Sequence, residues 1–265
     1  MAETATEKAS RKRRRKRRWM VCIGAVIVLS VAFVWHTHNV HDRIEAERRL
    51  ASVGELHSAP RRSVWYHKIA VKARLRVPTR LIDFSSSKIT DEDMVHISKL
   101  PSLTRVALYR APVTDAGLKH LSELKKLENL TLVETQITDA GLEHIGGLTS
   151  LKQLFLTGTG ITDAGLAHLR PLTSLQYLGL SRTGITDKGL GHLRDLKNLD
   201  FLYLNETAIT DEGLEHIKSM KSLRQVSLGR TKVSAAAIQQ LQQEIPDLRI
   251  VYPTPDYEPG ENPQQ

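Results

Sequence analysis

Three residue types recur at fixed spacing along this chain, and each set invites a different chemistry. Aspartate recurs at Asp91, Asp115, Asp139, Asp163, Asp187 and Asp211, each directly after a threonine. A row of carboxylates is metal chemistry or helix capping. Histidine recurs at His96, His120, His144, His168, His192 and His216, which are six of the eleven histidines. Imidazole is the commonest metal ligand and the side chain best suited to proton transfer near neutral pH. Glycine recurs at Gly117, Gly141, Gly165, Gly189 and Gly213, which raises the question of a phosphate-binding loop.

The surroundings of each set decide between these readings. A Thr-Asp pair ahead of Gly-Leu is a helix start: the threonine oxygen accepts from free N–H groups, and the carboxylate suits the positive helix end. No acidic or thiol partner recurs beside the histidines at ligand spacing, and neighbouring helices stand about 10 Å apart. A structural place at the rim of a core, bonded to a neighbouring loop carbonyl, is therefore expected for the histidines. The glycines lack a following Gly-Lys-Ser/Thr element, so they read as close-packing residues. The single cysteine, Cys22, excludes a disulfide framework and any zinc site built on several thiolates. No Ser/His/Asp, paired-carboxylate or Cys/His constellation stands out from this regular background. The reading is no enzyme, no cofactor and no metal site, against the alternative of metal-dependent chemistry on the histidine row.

The elements that position these residues follow from one period. Units of 24 residues open with ITDEDM at 89, VTDAGL at 113, ITDAGL at 137 and 161, ITDKGL at 185 and ITDEGL at 209. A weaker copy, VSAAAI, begins at 233. Positions 1, 6, 9, 12, 15, 18 and 20 of all six units hold Ile, Leu, Val or Met. The L-x-x-L-x-L stretch ends in strand alternation, and G-L-x-H-L has helical spacing. One unit cannot bury such a face alone, whereas stacked units share a continuous core.

These units resemble leucine-rich repeats. The ITDAGL opening is similar to the cysteine-containing, F-box-associated subclass, with threonine in place of cysteine or asparagine at Thr135, Thr159, Thr183, Thr207 and Thr231. Those threonines are expected to bond inward to the backbone of the turn. The resemblance covers about residues 80–252. It implies an α/β solenoid: a curved parallel sheet with short helices on the convex side. No F-box-like segment precedes the repeats, so a ubiquitin-ligase role is not carried over. Together with the segment that precedes them, the units look like membrane-anchored bacterial repeat proteins.

That segment accounts for the basic character of the chain. Residues 1–18 hold nine basic and two acidic groups out of totals of 38 and 29, so the other 247 residues are nearly neutral. Trp19 to Trp35 is 17 residues without a charge. That run makes roughly 25 Å of helix against a hydrocarbon core of roughly 30 Å. The expected organisation is a basic cytoplasmic tail (1–18), a transmembrane helix (19–35), a helical stalk (36–60), an N-terminal cap (61–88), six repeats (89–232), a C-terminal cap (233–252) and a disordered tail (253–265). Basic flanks stay on the cytoplasmic side, which places the repeats outside, in the periplasm of a bacterium. A cleaved signal peptide, with Ser30-Val31-Ala32 as its small-residue site, is a competing reading, as is a nucleic-acid arm.

Function is then sought at the positions that vary. Positions 17, 19 and 21 face outward from the sheet. All five aromatics of the six units, Tyr109, Phe155, Tyr177, Phe201 and Tyr203, fall there and none falls on the core positions. Aromatic residues are enriched at interfaces. The expected ligand-binding residues on the concave face are these five with Arg105, Arg182 and Asn205. The expected partner is a protein or peptide of unknown identity and not a nucleic acid; stacking rings would also accept a glycan. The alternative is a structural envelope or scaffold protein without a defined ligand.

Overall fold

The computed structural model describes residues 55–57 (backbone only), 80–84 and 89–252. The expected basic tail, membrane helix and C-terminal tail lie outside these residues, as do most of the stalk and of the N-terminal cap. Among the described residues no helix is long and apolar enough to cross a membrane.

The 24-residue period becomes one strand and one helix per unit. The strands are β1 (Glu55–His57), β2 (Leu81–Asp83), β3 (Arg105–Ala107), β4 (Asn129–Thr131), β5 (Gln153–Phe155), β6 (Tyr177–Gly179), β7 (Phe201–Tyr203), β8 (Gln225–Ser227) and β9 (Arg249–Val251). They form one sheet in chain order. From β2 to β9 all pairs are parallel and in register, so Tyr177 lies between Gln153 and Phe201. The helices are α1 (Asp91–Ser98), α2 (Asp115–Leu118), α3 (Asp139–Ile145), α4 (Asp163–Leu166), α5 (Asp187–Leu190), α6 (Gly213–Ser219) and α7 (Ala235–Glu244).

One difference from the sequence reading lies at the N-terminal edge. Glu55–His57 falls inside the segment expected as a helical stalk, yet it is a strand antiparallel to β2. An edge strand of a solenoid leaves a row of open backbone groups, and a returning strand satisfies them.

All 42 predicted core positions are buried, none more than 7% exposed. Phe84 of the N-terminal cap occupies the same position as Leu108 and is fully buried. Each such side chain contributes roughly 1.5–3 kcal/mol before conformational entropy is subtracted.

The threonines that replace the usual cysteine or asparagine donate to the carbonyl three residues back. Thr135 bonds Leu132 at 2.7 Å, Thr159 bonds Leu156 at 2.6 Å and Thr207 bonds Leu204 at 2.6 Å. The departure from the subclass pattern therefore keeps its inward hydrogen bond.

The aspartate row does more than the capping expected of it. Thr90, Thr114, Thr138, Thr162 and Thr186 hold the N-cap place, with Asp91, Asp115, Asp139, Asp163 and Asp187 in the first helical turn, whereas the cap of α6 is Glu212; the expected bond from a helix N–H to the threonine oxygen forms at Thr114 but not at Thr138, Thr162 or Thr186. The carboxylate, however, reaches the following unit. Asp115 accepts from the Thr138 N–H at 2.8 Å and from its hydroxyl at 2.6 Å. Asp163 does the same to Thr186, and Asp187 to Thr210. The row is a chain of clamps between units.

The glycine row is explained by the same clamps. A Cβ on Gly141 would fall on Asp115 Oδ1, and one on Gly189 would fall on Asp163 Oδ1. The glycines make room for a neighbour's carboxylate.

The two ends of the array depart from this pattern in different ways. In the first unit the glycine place holds Asp93, which is buried. Its Oδ2 accepts from the Thr90 N–H at 3.2 Å and the Thr90 hydroxyl at 3.4 Å. Asp93 thus serves from within its own helix the two groups that the preceding unit's aspartate serves elsewhere. At the other end Ala237 stands in the glycine place, yet Asp211 still accepts from the Ser234 N–H at 2.6 Å and from its hydroxyl at 2.8 Å, so a Cβ is accommodated where the helices stand apart. A groove of about 450 Å³ lies there between α6 and α7, lined by Asp211, Glu212, Lys218 and Gln240 among others. Lys218 bridges the two helices, 2.7 Å from Glu215 and 2.8 Å from Glu244.

Candidate functional site

The outward face of the sheet brings together four of the predicted aromatics. Strand alternation puts Leu154, Leu178 and Leu202 inward, so their neighbours point to the opposite side. Tyr177 and Phe201, adjacent in register, stack with centroids 4.5 Å apart and planes 2° from parallel. Phe155 and Tyr203 lie two strands apart and meet at 6.3 Å, tilted by 43°. Gly179 lies between them in register, and a Cβ there would come 2.7 Å from Phe155 Cδ1. The room left by Gly179 is therefore filled by the Phe155 ring. Burial among these rings raises the Tyr203 phenol above its usual range, with the Tyr177 phenol adding to the shift. All four rings are half-buried.

Of the other predicted site residues, Arg105 is exposed at the N-terminal end of the same row as Tyr177. Asn129 and Gln153 lie between them, joined by a side-chain hydrogen bond. Tyr109 stands apart from the four-ring cluster, with the Arg110 guanidinium 4.9 Å from its ring centre. Asn205 uses its carboxamide oxygen to accept from the Gly229 N–H at 2.8 Å, which makes it a turn-holding residue. Arg182 is exposed and reaches Glu134 at 3.0 Å, across the unit between them.

The row containing Arg182 is the feature that sequence reasoning missed. Position 22 of every unit has a left-handed backbone: φ is 56° at Arg110, 55° at Glu134, 69° at Gly158, 56° at Arg182, 58° at Glu206 and 55° at Arg230. Only glycine adopts this conformation freely; other residues lose roughly 1–2 kcal/mol each. Five of six units nevertheless carry a charged side chain there. The sequence signal was available, since Arg, Glu, Gly, Arg, Glu and Arg recur at one repeat position. The left-handed turn that makes the pattern informative was not.

Glu134 links this row. Its carboxylate accepts from both Arg110 and Arg182, and the Arg110 bond chiefly holds its pKa below the usual carboxylate range. The same pair raises the Arg110 pKa. Arg230 and Glu206 stand 3.6 Å apart.

The histidine row differs from expectation in one respect. No histidine side chain among the described repeats bonds a loop carbonyl, and the buried Nδ1 of His96 has no hydrogen-bond partner. The rings are half-buried and pack between units; the His216 Cε1 faces Gly191 of the preceding unit. Burial lowers the His120 pKa, with Lys119 adding to the effect. Among the described residues no three His, Cys, Asp or Glu side chains converge as a metal site would need.

The repeat, the in-register parallel sheet and the short helices define a leucine-rich repeat solenoid. A family model described as Leucine Rich repeat matches residues 172–193. Among solved structures the chain is similar to internalin C2 of Listeria monocytogenes, at 21% identity and a TM-score of 0.53, covering 67% of this chain and 81% of that one. It is also similar to internalin F of the same organism, at 18% identity and a TM-score of 0.51, covering 67% of this chain and 53% of that one. At these identities the likeness shows the fold, and it does not distinguish the cysteine-containing subclass. No curated protein sequence matches the chain.

Proposed function

We propose that this protein is a non-catalytic recognition module that binds a protein partner on the outward face of its repeat sheet. The ring cluster of Phe155, Tyr177, Phe201 and Tyr203 carries the reading. Aromatic residues in these repeats are confined to the water-facing side, where they remain half accessible on a rigid support. Binding sites concentrate such residues, and a rigid platform lowers the ordering cost of association. The basic tail and the apolar run at 19–35 support a single membrane span with the N-terminus in the cytoplasm and the repeats outside.

The test is capture by the full-length protein in detergent micelles. Tyr177→Ala with Tyr203→Ala is expected to abolish partner capture with an unchanged circular dichroism spectrum. Unchanged capture by the folded variant would refute the site. Protease access to the C-terminus in intact cells tests the topology: cleavage is expected from outside, and full protection with a permeable outer layer would reverse it.

A further inference from the structure

The charged turn row has no sufficient explanation inside the molecule. Gly158 shows that the left-handed turn accepts glycine, so Arg110, Glu134, Arg182, Glu206 and Arg230 are not required by the backbone. Their mutual ion pairs are solvent-exposed, with the three arginine side chains 51–60% accessible. Such pairs add little stability. Strain kept without an internal return points to a function for the side chains.

The composition of the face indicates what that function is. At the outward strand positions and in the turn row, the cations are Arg105, Arg110, Arg182, Arg230 and Arg249, and the anions are Asp83, Glu134 and Glu206. None of the ten lysines among the described residues lies there. Away from the face, residues 80–84 and 89–252 carry 14 basic and 17 acidic groups. Among the described residues the face thus has a small excess of cations and the remainder a small excess of anions, and the face uses only the cation whose planar fork matches a carboxylate. Arg110 and Arg182 share one carboxylate between them. Arg105 has no ion-pair partner among the described residues, and Arg230 stands 3.6 Å from Glu206, beyond hydrogen-bonding distance.

Resting on the reading above, we propose that the partner offers an acidic segment bearing an apolar side chain. The apolar group packs on the four rings. Flanking carboxylates bond Arg182 and Arg230, whose units border or contain the rings. A nucleic-acid backbone fits less well, because Glu134 and Glu206 would oppose a continuous row of phosphates.

The test uses full-length protein in micelles and three fluorescent nine-residue peptides. Each has a central phenylalanine, flanked by aspartate and glutamate, by serine and glutamine, or by lysine. The acidic peptide is expected to bind at least tenfold more tightly than the neutral one and to weaken with salt, while the lysine peptide does not bind. Arg182→Gly with Arg230→Gly suits the left-handed turn, so the thermal midpoint is expected to hold or rise while the acidic preference disappears. Equal binding of acidic and neutral peptides, unchanged in that variant, would overturn the charge proposal and leave the ring site standing. Tighter binding of the lysine peptide would overturn it by sign. Binding of none of the three would overturn both readings.

Discussion

Replacing Gly189 with alanine is expected to destabilise the protein by about 2 kcal/mol, although the same change in an unconstrained helix stabilises it by about 1 kcal/mol. The reversal comes from Asp163. A Cβ at residue 189 would fall on its Oδ1, far inside contact distance, and 3.1 Å from its Cγ. Between the closely packed α4 and α5, without the groove that admits Ala237 beside the Asp211–Ser234 clamp, the carboxylate is expected to leave the Thr186 N–H, bonded at 2.8 Å, and the Thr186 hydroxyl, bonded at 2.6 Å. Hydrogen bonds to a charged acceptor are worth about 1.5–3 kcal/mol each. These groups are half-buried, so the lower value applies and the pair loses about 3 kcal/mol, offset by about 1 kcal/mol of helix propensity. The assay is urea unfolding followed by far-ultraviolet circular dichroism in a double-mutant cycle. Asp163→Ala removes the obstacle, so on that background Gly189→Ala should stabilise by about 1 kcal/mol, a coupling of about 3 kcal/mol. If Gly189→Ala is neutral or stabilising with Asp163 present, or acts equally on both backgrounds, the clamp does not explain the glycine row.

Four further outcomes follow from the same structure. Asp93→Gly removes the acceptor for both polar groups of Thr90 and should lower stability by about 1–2 kcal/mol, read from the unfolding midpoint. Thr207→Val breaks the bond to the Leu204 carbonyl and should cost about 1 kcal/mol by the same measure. Gly179→Ala should displace the Phe155 ring from Tyr203 and weaken binding at the face, visible as shifts of the Phe155 and Tyr203 ring resonances in a folded protein. Glu134 has a folded pKa below its unfolded one, so its pairing is intact above the ordinary carboxylate range and is lost as pH falls through the depressed value. Carboxyl carbon shifts of Glu134 should titrate below the ordinary carboxylate range, and titration within that range would remove the two-arginine seat.

Much of the fold was legible because the hydrophobic effect does not depend on direction. A leucine at a repeated core position is buried whatever its exact partner, so the apolar period located the core, the strands and the helices together. The outward aromatics were legible for the same reason, since strand alternation alone puts Phe155, Tyr177, Phe201 and Tyr203 opposite the core leucines. The parts that stayed hidden depend on direction and on backbone conformation. Asp163 reads as a cap for its own helix, because its sequence neighbours are all that a one-dimensional reading sees. The pattern Arg, Glu, Gly, Arg, Glu, Arg carries no weight until the turn is known to be left-handed.

The sequence by itself determined a stacked α/β repeat with a buried aliphatic spine, because a 24-residue period with seven apolar positions has few other ways to exclude water. It also confined aromatics to the solvent side of the sheet. Only the tertiary structure decided how units are joined and how the face is charged. The Asp-to-Thr clamps span 23 residues, and the Arg182–Glu134 pair spans 48. Such contacts are made between residues that stacking brings together, and their geometry is fixed by neighbouring units rather than by the order of residues within one.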